Sequence, residues 1–244
     1  MTAAVSRRLD PDTRAGLRLT LLALGFGLIA AIVLPLAVLV RDSWSPLTRL
    51  DVHLDTLAYA LVLRSEWLLA VARGGTWLGA PVVIFLASAA LMVALLRVGR
   101  RRSALLVLLS ALGAYALSTL GKLVVGRARP SFDEAVATAQ GNSFPSGHAT
   151  GSAAFYAVLA VVLLPVLRNR WRRLVVAAAV AIPLLVALTR VLLGVHYLSD
   201  VTAGLLLGWG WTVSCTAVFA VWRTEEGRRG STWRRGVEPP AEPS

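Results

Sequence analysis

The sequence predicts an all-α membrane protein: a polytopic bundle of six transmembrane helices with an interfacial helix in the first outer loop. Of 244 residues, 57% are hydrophobic and only 16% charged, more apolar surface than one soluble domain of this size hides. Six stretches carry no charge at all, residues 19 to 40, 74 to 96, 103 to 121, 149 to 167, 174 to 189 and 201 to 222, and together they make up half the chain. A span needs roughly 20 apolar residues to cross about 30 Å of hydrocarbon. Uninterrupted Leu, Val and Ala runs exclude both a membrane β-barrel, which would alternate, and a disordered chain.

Taken in order, residues 1–18 form an N-terminal tail, 19–222 the six-span domain and 223–244 a Gly- and Pro-bearing disordered tail. The first stretch is a retained span and not a cleaved leader, since Arg41, Asp42, Ser43 and Trp44 stand where a small-residue cleavage site would be. Residues 42–73 repeat Leu54, Leu57, Leu61 and Leu68 at near-helical spacing, with Asp51, Asp55 and Arg64 between them. Trp67 and Trp77 suit the headgroup zone, so this segment reads as the interfacial helix, packed against the spans. Tight basic loops at 97–102 and 168–173 make antiparallel hairpins of spans two and three and of four and five. Pro35 and Pro183 mark local breaks in spans one and five. The fifth stretch is short, and a helix continued toward Val195 puts Arg190 about a turn inside its outer end, where it needs an anionic partner or a route to water.

The net charge of +12 would suggest nucleic acid in a soluble protein, but its placement says otherwise. Seventeen of the 25 basic residues fall in the two tails and the loops after spans two and four. The positive-inside rule then puts both termini in the cytoplasm of a cell-membrane protein and three loops outside, with the bilayer as the partner and no nucleic acid. No obligate protein partner is inferred. Cys215 is the only cysteine and lies in span six, so it forms neither a disulfide framework nor a metal knuckle.

Lysine usage gives the first clue to a site, because 24 of the basic residues are arginine and the single lysine, Lys122, stands where span three emerges. The outer segments read KLVVGRARP (122–130), SFPSGHATG (143–151) and TRVLLGVHYLSD (189–200), and they hold His148 and His196. His53, without such neighbours, reads as a surface residue. Lys122, Arg129 and Arg190 supply cations for charge-assisted bonds to phosphate oxygens. Pro145 sets the approach to span four, Ser146 can cap it, and Gly147 lets an oxyanion near the unpaired amides at its positive end. Asp200 follows His196 by four residues, which lets the carboxylate hold the imidazole in the tautomer whose free nitrogen can attack phosphorus. His148 can serve the leaving oxygen as an acid.

These segments resemble the type 2 phosphatidic acid phosphatase superfamily of membrane lipid phosphatases, whose motifs are K-x6-RP, PSGH and SR-x5-H-x3-D. Here they stand in order as Lys122 to Arg129-Pro130, Pro145-Ser146-Gly147-His148, and Arg190 to His196 to Asp200, with Thr189 in place of the usual serine. The resemblance covers residues 50 to 222 and implies that family's helical bundle. It also implies His196 as the nucleophile that forms a phosphohistidine, Asp200 as its orienting partner, and His148 as general acid and then base. Lys122, Arg129, Ser146, Gly147 and Arg190 become the phosphate clamp. No metal and no other cofactor is expected, since carboxylates near the histidines are too few for a two-metal cluster.

The expected substrate is a phosphorylated membrane lipid processed at the extracytoplasmic face. Polyprenyl (undecaprenyl) diphosphate is favoured, and phosphatidate or phosphatidylglycerophosphate is the alternative. A vanadium haloperoxidase and a non-catalytic lipid-phosphate binding or transport protein are remote, the first because of six spans in a short chain, the second because binding alone needs neither two histidines nor Asp200.

Overall fold

The computed structural model describes residues 11–132 and 136–225, all helix and connecting loop. Eight α-helices follow one another: α1 (Pro11–Arg41), α2 (Ser45–Leu63), α3 (Glu66–Thr76), α4 (Pro81–Arg97), α5 (Arg101–Val125), α6 (Gly147–Leu163), α7 (Asn169–Leu192) and α8 (Leu198–Glu225). Of the predicted tails, 1–18 and 223–244, residues 11–18 and 223–225 belong to α1 and α8, and residues 1–10 and 226–244 lie outside the described residues.

The expectation of six spans needs correction. Four helical segments are long and apolar enough to cross a membrane, Ala23–Arg41, Arg101–Val125, Arg170–Leu192 and Leu198–Phe219, and a fifth arises if Glu66–Gly79 and Pro81–Arg97 count together. That pair is bent by 41°. Pro81 has no N–H to continue the α3 ladder, and Gly79 lies so close to Val186 of α7 that a Cβ there would be 2.4 Å from it. The remaining apolar helix, α6, has 17 residues, about 26 Å of rise, because it starts inside the bundle at the PSGH turn and stops just before Pro165. Pro35 and Pro183, expected to break their spans, lie inside continuous helices. The fifth apolar stretch, short in sequence, extends to 24 residues as α7, with Arg190 in its last turn as expected.

The single interfacial helix of the sequence reading is two, α2 and α3, separated at Ser65, whose hydroxyl accepts from the Leu68 amide and caps α3. Asp51, Asp55, Tyr59 and Val62 form the buried face of α2. Both helices pack against α7, while Trp44, Trp67 and Trp77 stay exposed. Such rings suit the membrane interface.

The central element is α8, packed against α1, α2, α5, α6 and α7. Its closest partner is α6, and small residues make that closeness possible. A Cβ on Gly204 would stand 2.7 Å from the Ser146 carbonyl oxygen, and one on Gly208 2.3 Å from that of Thr150. Ala149 and Ala153 face these glycines from α6. This is the small-xxx-small pattern by which apolar helices gain van der Waals contact where lipid offers no hydrophobic driving force.

Gly208→Ala should therefore force the two backbones apart and cost about 1–3 kcal/mol, the usual range for overpacking. Gly74→Ala, at a helical glycine with open space around it, should be neutral or slightly stabilising. Thermal unfolding of the two variants in one detergent checks the contrast.

Candidate active site

The three predicted segments meet at one end of the bundle, and the arginine-rich turns at 97–102 and 168–173 lie at the other. Gly126, with φ +67, ends α5 in a left-handed cap and turns the chain into 127–130. Gly194, with φ +64, does the same after α7, and Phe132 and Tyr59 approach it too closely for a side chain. Those two rings stack with centroids 3.9 Å apart and tie the loop after α5 to α2. Asn142 closes that loop reciprocally: the Lys122 ammonium donates to its carbonyl at 2.5 Å, and its amide donates to the Lys122 carbonyl at 2.7 Å.

His196 is 2% exposed and stands just before α8. Its Nε2 lies 3.0 Å from Nη1 of Arg129. A guanidinium only donates, so Nε2 carries the lone pair and the proton sits on Nδ1. Nδ1 faces Oδ2 of Asp200 at 3.5 Å and has no closer hydrogen-bond partner. Burial, opposed in part by Asp200, lowers the imidazole to about 4, so the ring is neutral over the physiological range.

Asp200 lies in the first turn of α8, where the Tyr197 amide donates to Oδ2 at 2.9 Å and Arg127 to Oδ1 at 2.8 Å. Its backbone carbonyl accepts from the Ser146 amide at 3.0 Å, which joins the second segment to the third. Ser146 takes the N-cap place of α6, but its side chain does not cap as expected: the buried Oγ has no hydrogen-bond partner. Gly147 and His148 open the helix, and His148 is within electrostatic reach of Arg190, His196, Arg129 and Lys122.

The cations are held unequally. All the donors of Arg129 are engaged, with the carbonyls of Gly141, Gln140, Asn142 and Val195 and with His196. Arg190, 6% exposed, donates from Nη1 to Thr76 of α3 at 2.9 Å, and its buried Nε has no partner. Thr189 turns its hydroxyl to the Val186 carbonyl and its methyl toward Gly75, so it packs α7 on α3 and offers no donor to the site. His53 is exposed, as expected. Among the described residues no group of three or more His, Cys, Asp or Glu side chains is placed to hold a metal ion.

Sequence reading missed a buried layer behind this cluster. Arg127 pairs with both Asp200 and Asp51 at 2.8 Å, and Asp51 also accepts from Ser199. Burial opposes the charge on Arg127, but the carboxylates outweigh it and hold the guanidinium above its ordinary value. Asp55 completes the layer with an unpartnered Oδ1; burial first, then Asp200 and Asp51, raises it to about 7. Arg127 was visible in KLVVGRARP, two residues before Arg129. Asp51 and Asp55, on an interfacial helix far away in sequence, carried no such mark.

Beside the cluster, α4, α5 and α6 enclose an apolar cavity of about 650 Å³. It begins at Lys122 and Gly147 and runs past Tyr115 and Ala111 to Val107, about 22 Å along α5.

With this geometry established, sequence comparison gives its ancestry. The model of the PAP2 superfamily matches residues 103–224, half of the chain. The chain belongs to the PAP2 superfamily. A lipid A 1-phosphatase of Rhizobium etli is 40% identical over 111 residues, 42% of this chain and 44% of that protein, so the match spans less than half of that relative's length. A decaprenylphosphoryl-5-phosphoribose phosphatase of Mycobacterium tuberculosis is 37% identical over 145 residues, 58% of this chain and 75% of that one. The crystal structure of a transmembrane PAP2 type phosphatidylglycerolphosphate phosphatase from Bacillus subtilis superposes with a TM-score of 0.67 at 26% identity, covering 75% of this chain and 92% of that one. A multi-pass membrane bundle of the PAP2 kind is thereby established, with four or five helices that qualify as spans by length and composition.

The pH dependence of stability should expose Asp55. Its folded-state value lies above the unfolded one, near 4, so wild type loses stability as pH rises from about 4 to about 7 and then levels off. Asp55→Asn, uncharged and of similar shape, should match wild type at pH 4 and unfold at a higher temperature at pH 8, with the gap opening through that window. Melting curves of both proteins across this range check it.

Proposed function

We propose that the chain hydrolyses a phosphate ester on a membrane lipid through a phosphohistidine, without a metal ion. The observation that carries the reading is the pairing of a neutral, buried His196 backed by Asp200 with two buried donors, Ser146 Oγ and Arg190 Nε, that have no partner within the protein. Unpaired buried donors, one of them at the N-terminus of α6, are what an incoming phosphate satisfies. In this scheme Nη1 of Arg129 turns from His196 Nε2 to a phosphate oxygen, the freed Nε2 attacks phosphorus, the bond to the leaving oxygen breaks, and His148 gives that oxygen its proton. Burial first, and then the cations around it, disfavour a charged His148; the dianion's charge offsets both, which lets the imidazole carry the proton. Water then attacks, His148 takes its proton, and the N–P bond breaks to release inorganic phosphate. Lys122, Arg129, Arg190 and the amides at Gly147 stabilise the charge on the equatorial oxygens.

For the lipid, a glycerophospholipid phosphate of the phosphatidylglycerophosphate kind is the reading we favour. The Bacillus subtilis phosphatidylglycerolphosphate phosphatase, matched over 92% of its length, supports it. A polyprenyl diphosphate, the first expectation from sequence, is the second reading. Its support is the apolar cavity along α5, which offers a place for hydrocarbon, together with the relative named as a decaprenylphosphoryl-5-phosphoribose phosphatase. A phosphate-release panel with phosphatidylglycerophosphate, phosphatidate and undecaprenyl diphosphate in the same detergent discriminates: preference for the last by tenfold or more would reverse the order.

Phosphate release should persist in excess EDTA. With a substrate whose leaving group needs little protonation, His148→Ala should still form an acid-labile phosphoenzyme, whereas His196→Ala should form none; with natural lipid the His148 variant should be slower by about 10²- to 10⁴-fold. Rapid-quench trapping reads both, and a phosphoenzyme that survives in His196→Ala would assign the nucleophile elsewhere.

The arginine distribution supports an extracytoplasmic site with cytoplasmic termini. In a Cys215→Ser background, Thr138→Cys, exposed in the loop after α5, should react with a membrane-impermeant thiol reagent on intact cells, and Arg168→Cys should not. The reverse pattern inverts the topology.

A further inference from the structure

The outer helix α2 reaches the site through one carboxylate. Asp51, 1% exposed, accepts at Oδ1 from the Ser199 amide (3.0 Å) and at Oδ2 from the Ser199 hydroxyl (2.5 Å) and from Nη2 of Arg127 (2.8 Å). The other arm of Arg127, Nη1, donates to Ser199 Oγ at 2.7 Å and to Asp200 Oδ1 at 2.8 Å. Its guanidinium carbon lies 4.0 Å from the centre of the Tyr197 ring. One planar fork thus bridges two carboxylates from distant parts of the chain at the N-terminal turn of α8. None of the phosphate-clamp residues takes part in this bridge.

We propose that Arg127, oriented by Asp51, is a positioning residue for the nucleophile His196 and acts on it through Asp200. Asp200 is fully buried and has two oxygens to place. With Oδ1 taken by Arg127, Oδ2 is left for the Tyr197 amide and for Nδ1 of His196. Remove the guanidinium and Oδ1 loses a charge-assisted bond in a dry site, so the carboxylate turns to find another donor and the imidazole loses its reference. Asp51 sets the direction of the fork. Without it, both arms of Arg127 are free to close on Asp200 and draw Oδ2 away from the ring. A lysine cannot substitute, since a point charge on a flexible stem does not face two carboxylates at fixed angles. The docking of α2 therefore becomes a condition for chemistry at a residue nearly 150 positions later.

This inference rests on the phosphohistidine reading. The experiment is single-turnover phosphorylation of purified full-length protein by a water-soluble phosphomonoester with a good leaving group, for wild type, Arg127→Lys, Asp51→Asn and the double variant, with KM and thermal unfolding measured alongside. Expected are a fall of about 10- to 100-fold in the phosphorylation rate for Arg127→Lys, the size usual for loss of an outer-shell orienting partner, and a smaller fall for Asp51→Asn. The double variant should lose little more than Arg127→Lys alone, and KM should stay within about threefold of wild type. A wild-type phosphorylation rate in Arg127→Lys, or in Asp51→Asn should the first not fold, overturns the proposal. So does a loss confined to KM, which would make Arg127 a substrate-binding cation, and so does strict additivity in the double variant. A wild type that forms no phosphoenzyme sinks the underlying reading, and this inference with it.

Discussion

The close approach of α6 and α8 is the constraint on which the rest depends. Gly204 and Gly208 bring the α8 backbone against the Ser146 and Thr150 carbonyls, so the N-terminus of α6 and the first turn of α8 open side by side at one end of the bundle. Backbone hydrogen bonding then locks the pair, since the Ser146 amide donates to the Asp200 carbonyl. Anything bulkier at these glycines would separate the helix that offers amides and Ser146 from the residues that orient His196. The geometry of the candidate chemistry is thus set by the absence of two side chains, in an environment where packing is the principal attraction between helices.

Charge placement is the second organising feature. Buried ions are expensive, and the cations of the cluster each have a structural answer. Arg129 is enclosed by loop carbonyls, Lys122 by Asn142, and Arg190 leans on Thr76. Arg127 stands between Asp51 and Asp200. Two donors near the cluster, Ser146 Oγ and Arg190 Nε, have no partner, and in the proposed function a phosphate satisfies them. A site preorganised in this way holds its dipoles in place before the charge arrives, the arrangement that makes electrostatic stabilisation effective.

Helices α2 and α3 carry more than exposed aromatics. Asp51 reaches α8, Tyr59 stacks on Phe132, Arg73 donates to the Val136 carbonyl, and Thr76 touches Arg190. Together α2 and α3 brace the loop after α5 and two of the ionic groups from behind. The apolar cavity lies between α4, α5 and α6, so the bracing helices α2 and α3 take no part in its lining.

The sequence by itself determined the helical membrane class and the arginine-marked end, and it singled out Lys122, Arg129, Ser146, Gly147, His148, Arg190, His196 and Asp200 as the candidate site. Those features are local: charge-free runs, spacing within one loop, and residue types whose chemistry is the same in any setting. It did not determine that the 74–96 stretch bends at Pro81, that α6 is only 17 residues long, or that α7 and α1 run unbroken through their prolines. Those outcomes depend on whether a neighbouring helix is present to satisfy or crowd the backbone. Nor did it reveal that Ser146 leaves its hydroxyl free, or that Asp51 and Asp55 lie buried behind the His196–Asp200 pair. A buried carboxylate on an amphipathic helix looks in sequence like any solvated one. Only the fold, by bringing α2 onto α8, turns Asp51 into the partner of Arg127 and Ser199, because ion pairing between residues so far apart in the chain is decided by which helices pack and not by their spacing.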